Sequence, residues 1–383
     1  MPELTPARAG TRPRNRRELV LVAAAGLFAE RGYANVAMGD IANAVGMGPS
    51  ALYRHFTSKQ DVLATVLAAG LAPVHELVLG LDPADPAVAR RLASCALDQR
   101  HVGLMWQREA RSLSPEAGHQ FKDAIREIGE GLAAYVRSAR PELPDAADDL
   151  LAWSVLAVLT SPSFHHLDLP RPAYDDLLAE LITTVVTVDL PVDLDFEEPE
   201  PAPGPGLTPV SRREQLLAQA VRMFAEQGYM QVGIEDIGNA VGIAGPSVYN
   251  HWPTKVDLLI TALRRGAAVL AVAASTAYRQ ATDPADALRL LLRTYIELSH
   301  THSETFSLLI TDIGHLPDDE RHAIRRAEHE YVSEWTHLLR LDQPHLDPVA
   351  ARIRVHAVLS VAHDTARAVH LRGPDVPRAV EVI

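Results

Sequence analysis

The sequence is short of the residues that mark disulfide-stabilised, secreted or membrane-spanning proteins. Its single cysteine, Cys95, cannot form a disulfide within the chain. No basic segment followed by an apolar one opens the sequence as in a signal peptide. The apolar run "LLAWSVLAVL" from Leu150 is far shorter than the ~20 residues of a membrane-crossing helix. We therefore expect a reduced, cytoplasmic protein without a membrane segment.

The 383 residues also lack the motifs of common catalytic sites. There is no Gly-rich phosphate loop, no GxSxG and no cysteine paired with a histidine at a recognisable turn. His322, His329 and His337 form a helical stripe near two glutamates, but their spacing separates the imidazoles by ~10 Å along a helix. We interpret this stripe as a solvated face. We expect no enzyme activity, no metal site and no cofactor.

Basic residues are outnumbered but concentrated at one end. The chain has 36 Lys and Arg against 49 Asp and Glu, a net charge of -13, which argues against a uniformly basic coat for nucleic acid. Residues 1–17 nevertheless carry five arginines against one glutamate, interrupted by prolines and Gly10. We expect an unstructured cationic arm over residues 1–14. The five arginines are Arg8, Arg12, Arg14, Arg16 and Arg17.

The most informative feature is an internal repeat. The string "DIANAVGMGPSALYRHF" begins at Asp40, and "DIGNAVGIAGPSVYNHW" begins at Asp236. When residues 16–63 are laid over residues 212–259 without a gap, 22 of 48 positions are identical. Between the copies, residues 189–211 hold six acids, six prolines and no base, a composition typical of an extended linker. The chain is therefore predicted to be two similar halves joined by a linker.

Each copy begins with an amphipathic helix. In the first copy, the string "RRELVLVAAAGLFAERGY" predicts a buried stripe. The equivalent stripe in the second copy contains Leu216, Leu217, Ala220 and Phe224. The expected first-copy stripe consists of Leu19, Val22, Ala23, Leu27 and Phe28.

Two short helices about a tight turn follow in each copy. In the first copy they are expected near residues 38–45 and 49–56, with Gly46 in the turn. Such helices cross closely only if a small residue lies at the crossing and an apolar residue holds the second helix, conditions that Ala42 and Leu52 meet. The second copy meets them too, with Gly238, Gly242 and Val248. This is the helix-turn-helix pattern that presents a second helix to the DNA major groove.

The string from the first helix through "LYRHFTSKQDVL", and again through "VYNHWPTKVDLL", resembles the TetR family of transcriptional regulators. A chain with both copies looks like a tandem regulator with two TetR-like units. The resemblance implies an all-α fold, with a helix-turn-helix domain and a helical effector domain in each unit. The expected boundaries are a basic arm over 1–14, a DNA-binding domain over 15–63, an effector domain over 64–190, an acidic Pro-rich linker over 191–210, and a second pair of domains over 211–259 and 260–383.

The resemblance also assigns residues to DNA. A tyrosine of the recognition helix and a lysine opening the fourth helix contact phosphate in the family, and the exposed recognition face reaches base edges. The basic arm is expected to follow phosphate or the minor groove. Two histidines beside the tyrosines either reach phosphate or pack against Phe56 and Trp252. The first copy contributes Arg8, Arg12, Arg14, Arg16, Ser50, Ala51, Tyr53, Arg54, His55 and Lys59, and the second Pro246, Ser247, Tyr249, Asn250, His251 and Lys255.

Departures from the family pattern affect both copies, and they affect the second copy more. The Ser or Thr that usually caps the second helix is replaced by Ala37, and in the second copy by Gly233, which removes ~1 kcal/mol of capping and one phosphate anchor. Two positions later, where the family often has a basic residue, the first copy has Gly39 and the second has Glu235. The second copy also lacks a long basic arm. We expect it to bind DNA less tightly than the first.

The helical halves carry weaker signals. A long amphipathic helix is expected from Pro86 to Leu113, and the breaks at "REARSLSPE" and "DIGHLPDDER" resemble those in family members that sense lipid-derived molecules. Apolar helices occupy the family's dimerisation position in both halves, but the helix after it is reduced to "PDVPRAVEVI" in the second half. Candidate pocket residues, for which plain core packing is the alternative, are Trp106, Glu109, Trp153, Tyr295 and Phe306.

These features together predict a ligand-responsive transcriptional regulator, most simply a repressor. Its partners would be a double-stranded DNA operator that need not be palindromic and a small, lipid-like effector of unknown identity. It would act as a monomeric pseudo-dimer or as a homodimer with four heads. The alternative is a duplicated interaction protein whose second helix-turn-helix no longer reads DNA.

Overall fold

The computed structural model describes residues 16–100, 102–191, 193–196, 207–371 and 373–383. Within these residues the chain is helical and contains no β-strand. Arg8, Arg12 and Arg14 of the predicted arm, and most of the acidic linker, lie outside the described residues. The all-α expectation is confirmed.

The described residues form two units with nine helices each. In the first unit the helices are α1 (Arg16–Arg31), α2 (Met38–Ala44), α3 (Pro49–Leu52), α4 (Lys59–Leu79), α5 (Val88–Asp98), α6 (Val102–Glu109), α7 (Pro115–Ala139), α8 (Asp145–Thr160) and α9 (Ala173–Thr187). In the second they are α10 (Arg212–Gln227), α11 (Ile234–Ala240), α12 (Gly245–Val248), α13 (Lys255–Gln280), α14 (Pro284–Thr301), α15 (Ser303–Thr311), α16 (Asp318–Asp342), α17 (Pro348–Arg367) and α18 (Val376–Val382).

The buried face of α1 differs from the predicted stripe. Val20, Ala24 and Phe28 are fully buried, whereas Leu19 is 41% and Val22 59% exposed. The helix carries apolar residues around most of its circumference, so periodicity alone does not select one face. In α10 the predicted residues Leu216, Leu217, Ala220 and Phe224 are all buried.

The predicted helix from Pro86 to Leu113 is wrong in its continuity. The structure divides it into α5, which ends at Asp98, and α6, which begins at Val102, with Gln99 and Arg100 outside both helices. At this break Arg100 donates to three backbone carbonyls of a distant loop, those of Pro162 (2.7 Å), His165 (2.6 Å) and Leu167 (2.5 Å). The break therefore satisfies carbonyls that would otherwise be buried without partners.

One long helix connects each helix-turn-helix domain to the helical part of its unit, α4 in the first unit and α13 in the second. α4 and α13 are long and apolar enough to cross a membrane by length and composition. In the structure α4 packs against α1 and α7, and α13 against α14 and α16. Buried residues such as Leu63 in α4 and Leu259 in α13 lie within these contacts. The same length and composition suit a core helix that runs through a whole unit.

The two units pair within one chain through the helices in the predicted dimerisation position. α8 packs against α17, and α9 adds an ion pair between Glu180 and Arg354 of α17 at 2.7 Å. The seven-residue α18 packs on α14 of its own unit, where Glu381 pairs with Arg293. The interface is therefore asymmetric, because the second unit supplies only a short final helix.

Residues at the start of the linker also join the units. Asp193 pairs with Arg378 at 3.0 Å, and the Asp195 amide donates to the carboxylate of Asp375 at 2.8 Å. The chain leaving the first unit is thus attached to the last helix of the second unit before it enters the undescribed part of the linker.

A buried ion pair crosses between the units next to the second helix-turn-helix domain. Arg111, which follows α6, donates to both carboxylate oxygens of Asp312, at 2.6 and 2.9 Å. Asp312 is fully buried and also accepts the Thr311 hydroxyl at 2.6 Å and the Tyr229 amide at 3.3 Å. Every oxygen of this carboxylate therefore has a donor, which is the condition under which a buried charge is tolerated.

A second cross-unit contact involves two histidines. The rings of His165 and His356 lie 4.6 Å apart. Burial lowers the pKa of His165 to about 2, assisted by the charges of His356 and Arg100. Burial likewise lowers the pKa of His356 to about 4, assisted by Arg352 and His329. Both rings are therefore neutral in the folded protein near pH 7.

We expect His356→Gln to make the free energy of unfolding depend less on pH below pH 6.5. Between pH 6.5 and about 4 the unfolded chain binds a proton at His356 that the folded chain does not, so stability falls as the pH falls. Removing the group reduces the slope of unfolding free energy against pH by ~1.4 kcal/mol per pH unit in this window. Urea titrations at several pH values measure it. The exposed His119→Gln is the control, and equal slopes in wild type and His356→Gln would contradict the burial.

We expect Arg111→Met to destabilise the chain by ~3–5 kcal/mol, because it leaves the buried Asp312 carboxylate without its cation. Adding Asp312→Asn should recover part of the loss. The control is Arg264→Met, which breaks an exposed bidentate pair with Glu320 and should cost less than ~1 kcal/mol. Urea midpoints compare the variants. A loss for Arg111→Met no larger than that for Arg264→Met would refute the role given to this pair.

Candidate nucleic-acid interface

The turn between the two short helices has the predicted geometry in both copies. Gly46 has a φ of 64° and Gly242 a φ of 75°, in the left-handed region that favours glycine. Ala42 and Leu52 are fully buried at the first crossing. At the second crossing a Cβ on Gly238 would lie 2.9 Å from a Val248 methyl, so only glycine fits. Each head (residues 16–63 and 212–259) thus holds its second helix at a sharp angle.

The predicted recognition faces lie on the surface. In the first head Ser50, Tyr53, Arg54 and His55 are exposed, and Ala51 is half-buried. In the second head Pro246, Tyr249 and Asn250 are exposed, and Ser247 and His251 are half-buried. Tyr53 and Tyr249 have the same exposed fraction, 55%. Within the described residues, the Arg54 guanidinium and the Asn250 amide have no side-chain hydrogen bond, so both are available to base edges.

Each recognition helix is held from below by a buried aromatic ring with an arginine over it. Phe56 and Trp252 are both 1% exposed. Arg17 lies 5.2 Å from the Phe56 ring centroid, and Arg213 lies 3.5 Å from that of Trp252, whose indole N–H donates to the Arg213 carbonyl. These arginines are therefore structural cations at the start of each first helix. Arg16, beside Arg17, is half-buried.

The two predicted phosphate lysines are partly engaged within the protein. Lys59 Nζ donates to the Tyr33 carbonyl at 2.8 Å and lies 4.1 Å from the Tyr33 ring centroid. Lys255 Nζ donates to the Tyr229 and Val232 carbonyls and lies 4.1 Å from the Tyr229 ring centroid. An ammonium has three donors, so donors remain, and the phosphate role stays a prediction. The tyrosine partners were missed, although both pairs are identical between the copies.

Local electrostatics differ between the heads. Residues 16–63 carry five bases and four acids, whereas residues 212–259 carry four bases and five acids. A Cβ on Gly245, the first residue of α12, would lie 2.6 Å from Glu235, so this glutamate lies over the start of the recognition helix. Gly39 occupies the equivalent position in the first head. A carboxylate there disfavours a phosphate at the second head.

The second helix of each head lacks a side-chain cap. Ala37 and Gly233 precede the two helices and make no side-chain cap bond. Instead Asp40 accepts the Ala37 amide at 2.7 Å, and Asp236 accepts the Gly233 amide at 2.8 Å. The departure noted in the sequence is therefore partly compensated by an aspartate at the third helical position.

The five candidate pocket residues make separate contacts in the two helical halves. Trp106 packs edge-on against Phe121, and Trp153 packs against His370 of the other unit. Tyr295 and Phe306 pack against each other in an aromatic cluster with Tyr331 and Trp335. Their effector role remains a prediction.

Glu109 points toward the first head rather than into the helical core. Its carboxylate accepts the Tyr33 amide at 3.1 Å, as Asp312 accepts the Tyr229 amide in the second unit. Burial raises the pKa of Glu109, and the Tyr33 amide and Arg108 oppose the shift. Both acids therefore attach a head to the helical part of its unit.

Comparison with known proteins identifies related sequences for the heads and for the second helical half. A profile described as "Bacterial regulatory proteins, tetR family" matches residues 20–66 and 216–262. A profile described as "Tetracyclin repressor-like, C-terminal domain" matches residues 281–381. These ranges contain both helix-turn-helix patterns.

Individual relatives are transcriptional regulators by name. The HTH-type transcriptional activator FasR of Mycolicibacterium smegmatis is 29% identical over 98 residues, 26% of this chain and 45% of the relative. The HTH-type transcriptional regulator LmrA of Bacillus subtilis is 30% identical over 127 residues, 32% of this chain and 66% of the relative. The chain spans about half the length of two curated regulators of Mycolicibacterium smegmatis that it matches, FasR and the transcriptional repressor KstR2.

The solved structures that match parts of this chain include the ketosteroid transcriptional regulator KstR2 of Mycobacterium tuberculosis. It is 23% identical with a TM-score of 0.39, covering 45% of this chain and 90% of that protein. A TetR-family regulator from Bordetella parapertussis is 20% identical with a TM-score of 0.42, covering 44% of this chain and 89% of that protein.

We expect Gly46→Ala to destabilise the first head by ~1–2 kcal/mol, because an L-residue is strained at this positive φ even though no atom crowds the added Cβ. The matched control is Gly48→Ala two residues later, where the space is equally open and φ is not positive, with an expected change within ~0.5 kcal/mol. Urea unfolding followed by circular dichroism measures both. Equal urea midpoints for the two variants would show that an alanine at position 46 is not strained.

Proposed function

The chain contains two N-terminal units of the TetR family and a TetR-type C-terminal domain in its second half, and on that premise we propose that it is a ligand-responsive transcriptional regulator. Its two heads bind one operator, and a small effector bound in the helical part of the molecule releases it. We further propose that it is a cytoplasmic repressor, since occupying a promoter requires no activity beyond DNA binding.

The observation that carries the proposal is the exposure of two different recognition faces. Arg54 and Asn250 lie at equivalent places, two residues after the ends of α3 and α12, and both have free polar groups on the surface. An arginine pairs bidentately with guanine and an asparagine with adenine in the major groove. The two half-sites therefore need different bases, and the operator is asymmetric.

The pairing of the units supports action by a single chain. α8 and α17 pack against each other within one molecule, in the place where family members are expected to pair as dimers. Successive major grooves are ~34 Å apart along one face of DNA, and we propose that the two heads bind at this spacing. No second chain is needed for the operator to receive both heads.

Release by an effector is proposed as a shift between two conformations. α4 and α13 each run from a head into a helical core, so a ligand that prefers one core arrangement changes the separation of the heads. In the second unit Tyr295, Phe306, Tyr331 and Trp335 form an aromatic cluster beside the buried hydroxyl of Ser299. This mostly apolar surrounding supports a lipid-like effector with few polar groups.

Features of the second head favour one alternative function. Glu235 lies at the start of α12, the head has an excess of acids, and Arg213 is stacked on Trp252. A head of this kind suits a docking or sensing role better than tight binding to DNA phosphates. In this alternative only the first head reads DNA.

We expect Arg54→Ala and Asn250→Ala each to weaken binding to the operator by about 5- to 150-fold, because each removes a bidentate base contact worth ~1–3 kcal/mol. The operator is first located by footprinting the purified chain on DNA upstream of its own gene. Mobility-shift titrations at fixed salt then compare the variants with wild type and with Arg279→Ala, an exposed arginine at the far end of α13.

The pattern of losses separates the two functions. A loss for both variants, with Arg279→Ala unchanged, supports two reading heads. A loss for Arg54→Ala alone assigns DNA to the first head and supports the alternative. Failure of the wild-type chain to prefer any fragment over random competitor at low salt would refute DNA regulation altogether.

A further inference from the structure

A cavity of about 300 Å³ lies between the two heads. Its walls come from equivalent places in the two copies, residues 31–35 after α1 and residues 227–231 after α10. The lining is completed by Lys59 and by residues at the ends of α6 and α15, namely Arg108, Glu109, Arg111, Ser112, Thr311, Gly314 and His315. None of the lining residues belongs to α3 or α12, which carry the base-reading faces, and Lys59 is the only lining residue that was also predicted to contact DNA.

Cations dominate the charge of this cavity. Four basic side chains line it, those of Arg31, Lys59, Arg108 and Arg111, against the single acid Glu109. His315 also lines the cavity, and burial is the main cause that lowers its pKa, so it is neutral near pH 7. This excess of positive charge lies in a chain whose net charge is -13.

The four cations differ in whether they have a hydrogen-bond or ion-pair partner within the protein. Arg111 is paired with Asp312, and Lys59 donates to the Tyr33 carbonyl. Arg31 and Arg108 have no side-chain hydrogen bond and no ion pair within the part of the chain that the structure describes. Arg108 is half-buried, and its Nη2 lies 3.2 Å from where a Cβ on Gly32 would be placed and 3.5 Å from one on Gly314. A partly buried guanidinium between two glycines leaves room for a ligand at its donors.

Aromatic rings flank these cations. His315 stacks on Tyr229 with 5.1 Å between ring centroids, and Tyr33 packs against Phe28 in the first head. Each tyrosine ring is covered by the lysine of its own head. The walls are therefore held in place by contacts that do not use the free donors of Arg31 and Arg108.

From this arrangement we propose that the cavity binds a small anion, through a carboxylate or phosphate group held by Arg31 and Arg108. Planar guanidinium groups match the geometry of both kinds of oxyanion and remain charged at all relevant pH values. A volume of about 300 Å³ is at the lower end of small-molecule sites, so the ligand has the size of a metabolite. Glu109 disfavours a second acidic group on its side of the cavity, which orients the ligand.

The position of the site gives the anion a structural effect. Because loops of both heads form the walls, a bound anion links the two heads and favours the arrangement in which they are close together. If the proposed function is correct, the anion thereby changes operator affinity. The site itself does not depend on that function, and its tests use no DNA.

The first test measures binding to the full chain by isothermal titration calorimetry, with inorganic phosphate and citrate as probes at ionic strength matched with sodium chloride. We expect saturable binding of at least one probe. Arg31→Gln with Arg108→Gln should weaken it at least tenfold, and so should Gly314→Leu, which fills the cavity and leaves every charge in place. Arg279→Gln makes the same charge change ~36 Å along α13 from its start and should have no effect.

The binding result decides the proposal directly. Arg31 is exposed, so Arg31→Gln alone keeps the fold and should by itself lower the affinity. The site would be overturned if neither probe binds at concentrations up to 50 times that of the protein. It would also be overturned if the affinity is unchanged in the double variant and in Gly314→Leu. Loss in these variants with normal binding by Arg279→Gln supports it.

A second test measures the heads themselves. Val22 on α1 and Ala218 on α10 are equivalent, exposed positions, so both can carry spin labels after replacement by cysteine in a Cys95→Ser background. We expect the distance distribution between the labels to narrow when the bound probe saturates, and not in the Arg31→Gln, Arg108→Gln variant. An unchanged distribution at saturation would refute the link between the heads.

Discussion

The packing of α8 against α17 is the constraint on which the rest of the molecule depends. Each helical half has an apolar face that must be covered, and here one half covers the other within the same chain. This pairing brings Arg111 to Asp312 and His165 to His356, contacts between residues about 200 positions apart in the sequence. Through Asp312 and Glu109, which each accept an amide from the loop after the first helix of a head, it also determines where the two heads lie.

Because the two units are joined in one chain, their sequences need not be identical. In a symmetric dimer every substitution appears twice, whereas here each copy can change alone. The first head keeps a slight excess of bases and an exposed arginine, and the second has a slight excess of acids, an exposed asparagine and Glu235. The same freedom appears away from DNA, because Arg108 and Arg111 of the first unit face Thr311, Gly314 and His315 of the second. The asymmetry of the proposed operator and of the cavity between the heads has this single origin.

Much of the fold could be predicted because the repeat provides two independent readings of each local pattern. The turn glycines, the small residue at the helix crossing and the buried Leu52 and Val248 were all correct, since these depend on neighbours within a few residues. The predicted α1 stripe was correct at Phe28 but wrong at Leu19 and Val22, although Leu216 in the second copy aligns with the buried Val20. The α5–α6 break was missed because no glycine or proline signals it; Arg100 stabilises it by bonding to carbonyls more than 60 residues away.

The sequence by itself determined the duplication, the helical class, the positions of the two helix-turn-helix motifs and the side chains that each presents, because these follow from local spacing and backbone sterics. Only the tertiary structure decided how the halves pair, that Lys59 and Lys255 contact tyrosine rings, that Glu109 points toward a head, and that two unpaired arginines line one cavity between the heads. Those features depend on distances between segments far apart along the chain. Residue order contains that information only through the packing of all the helices at once, which no local pattern reports.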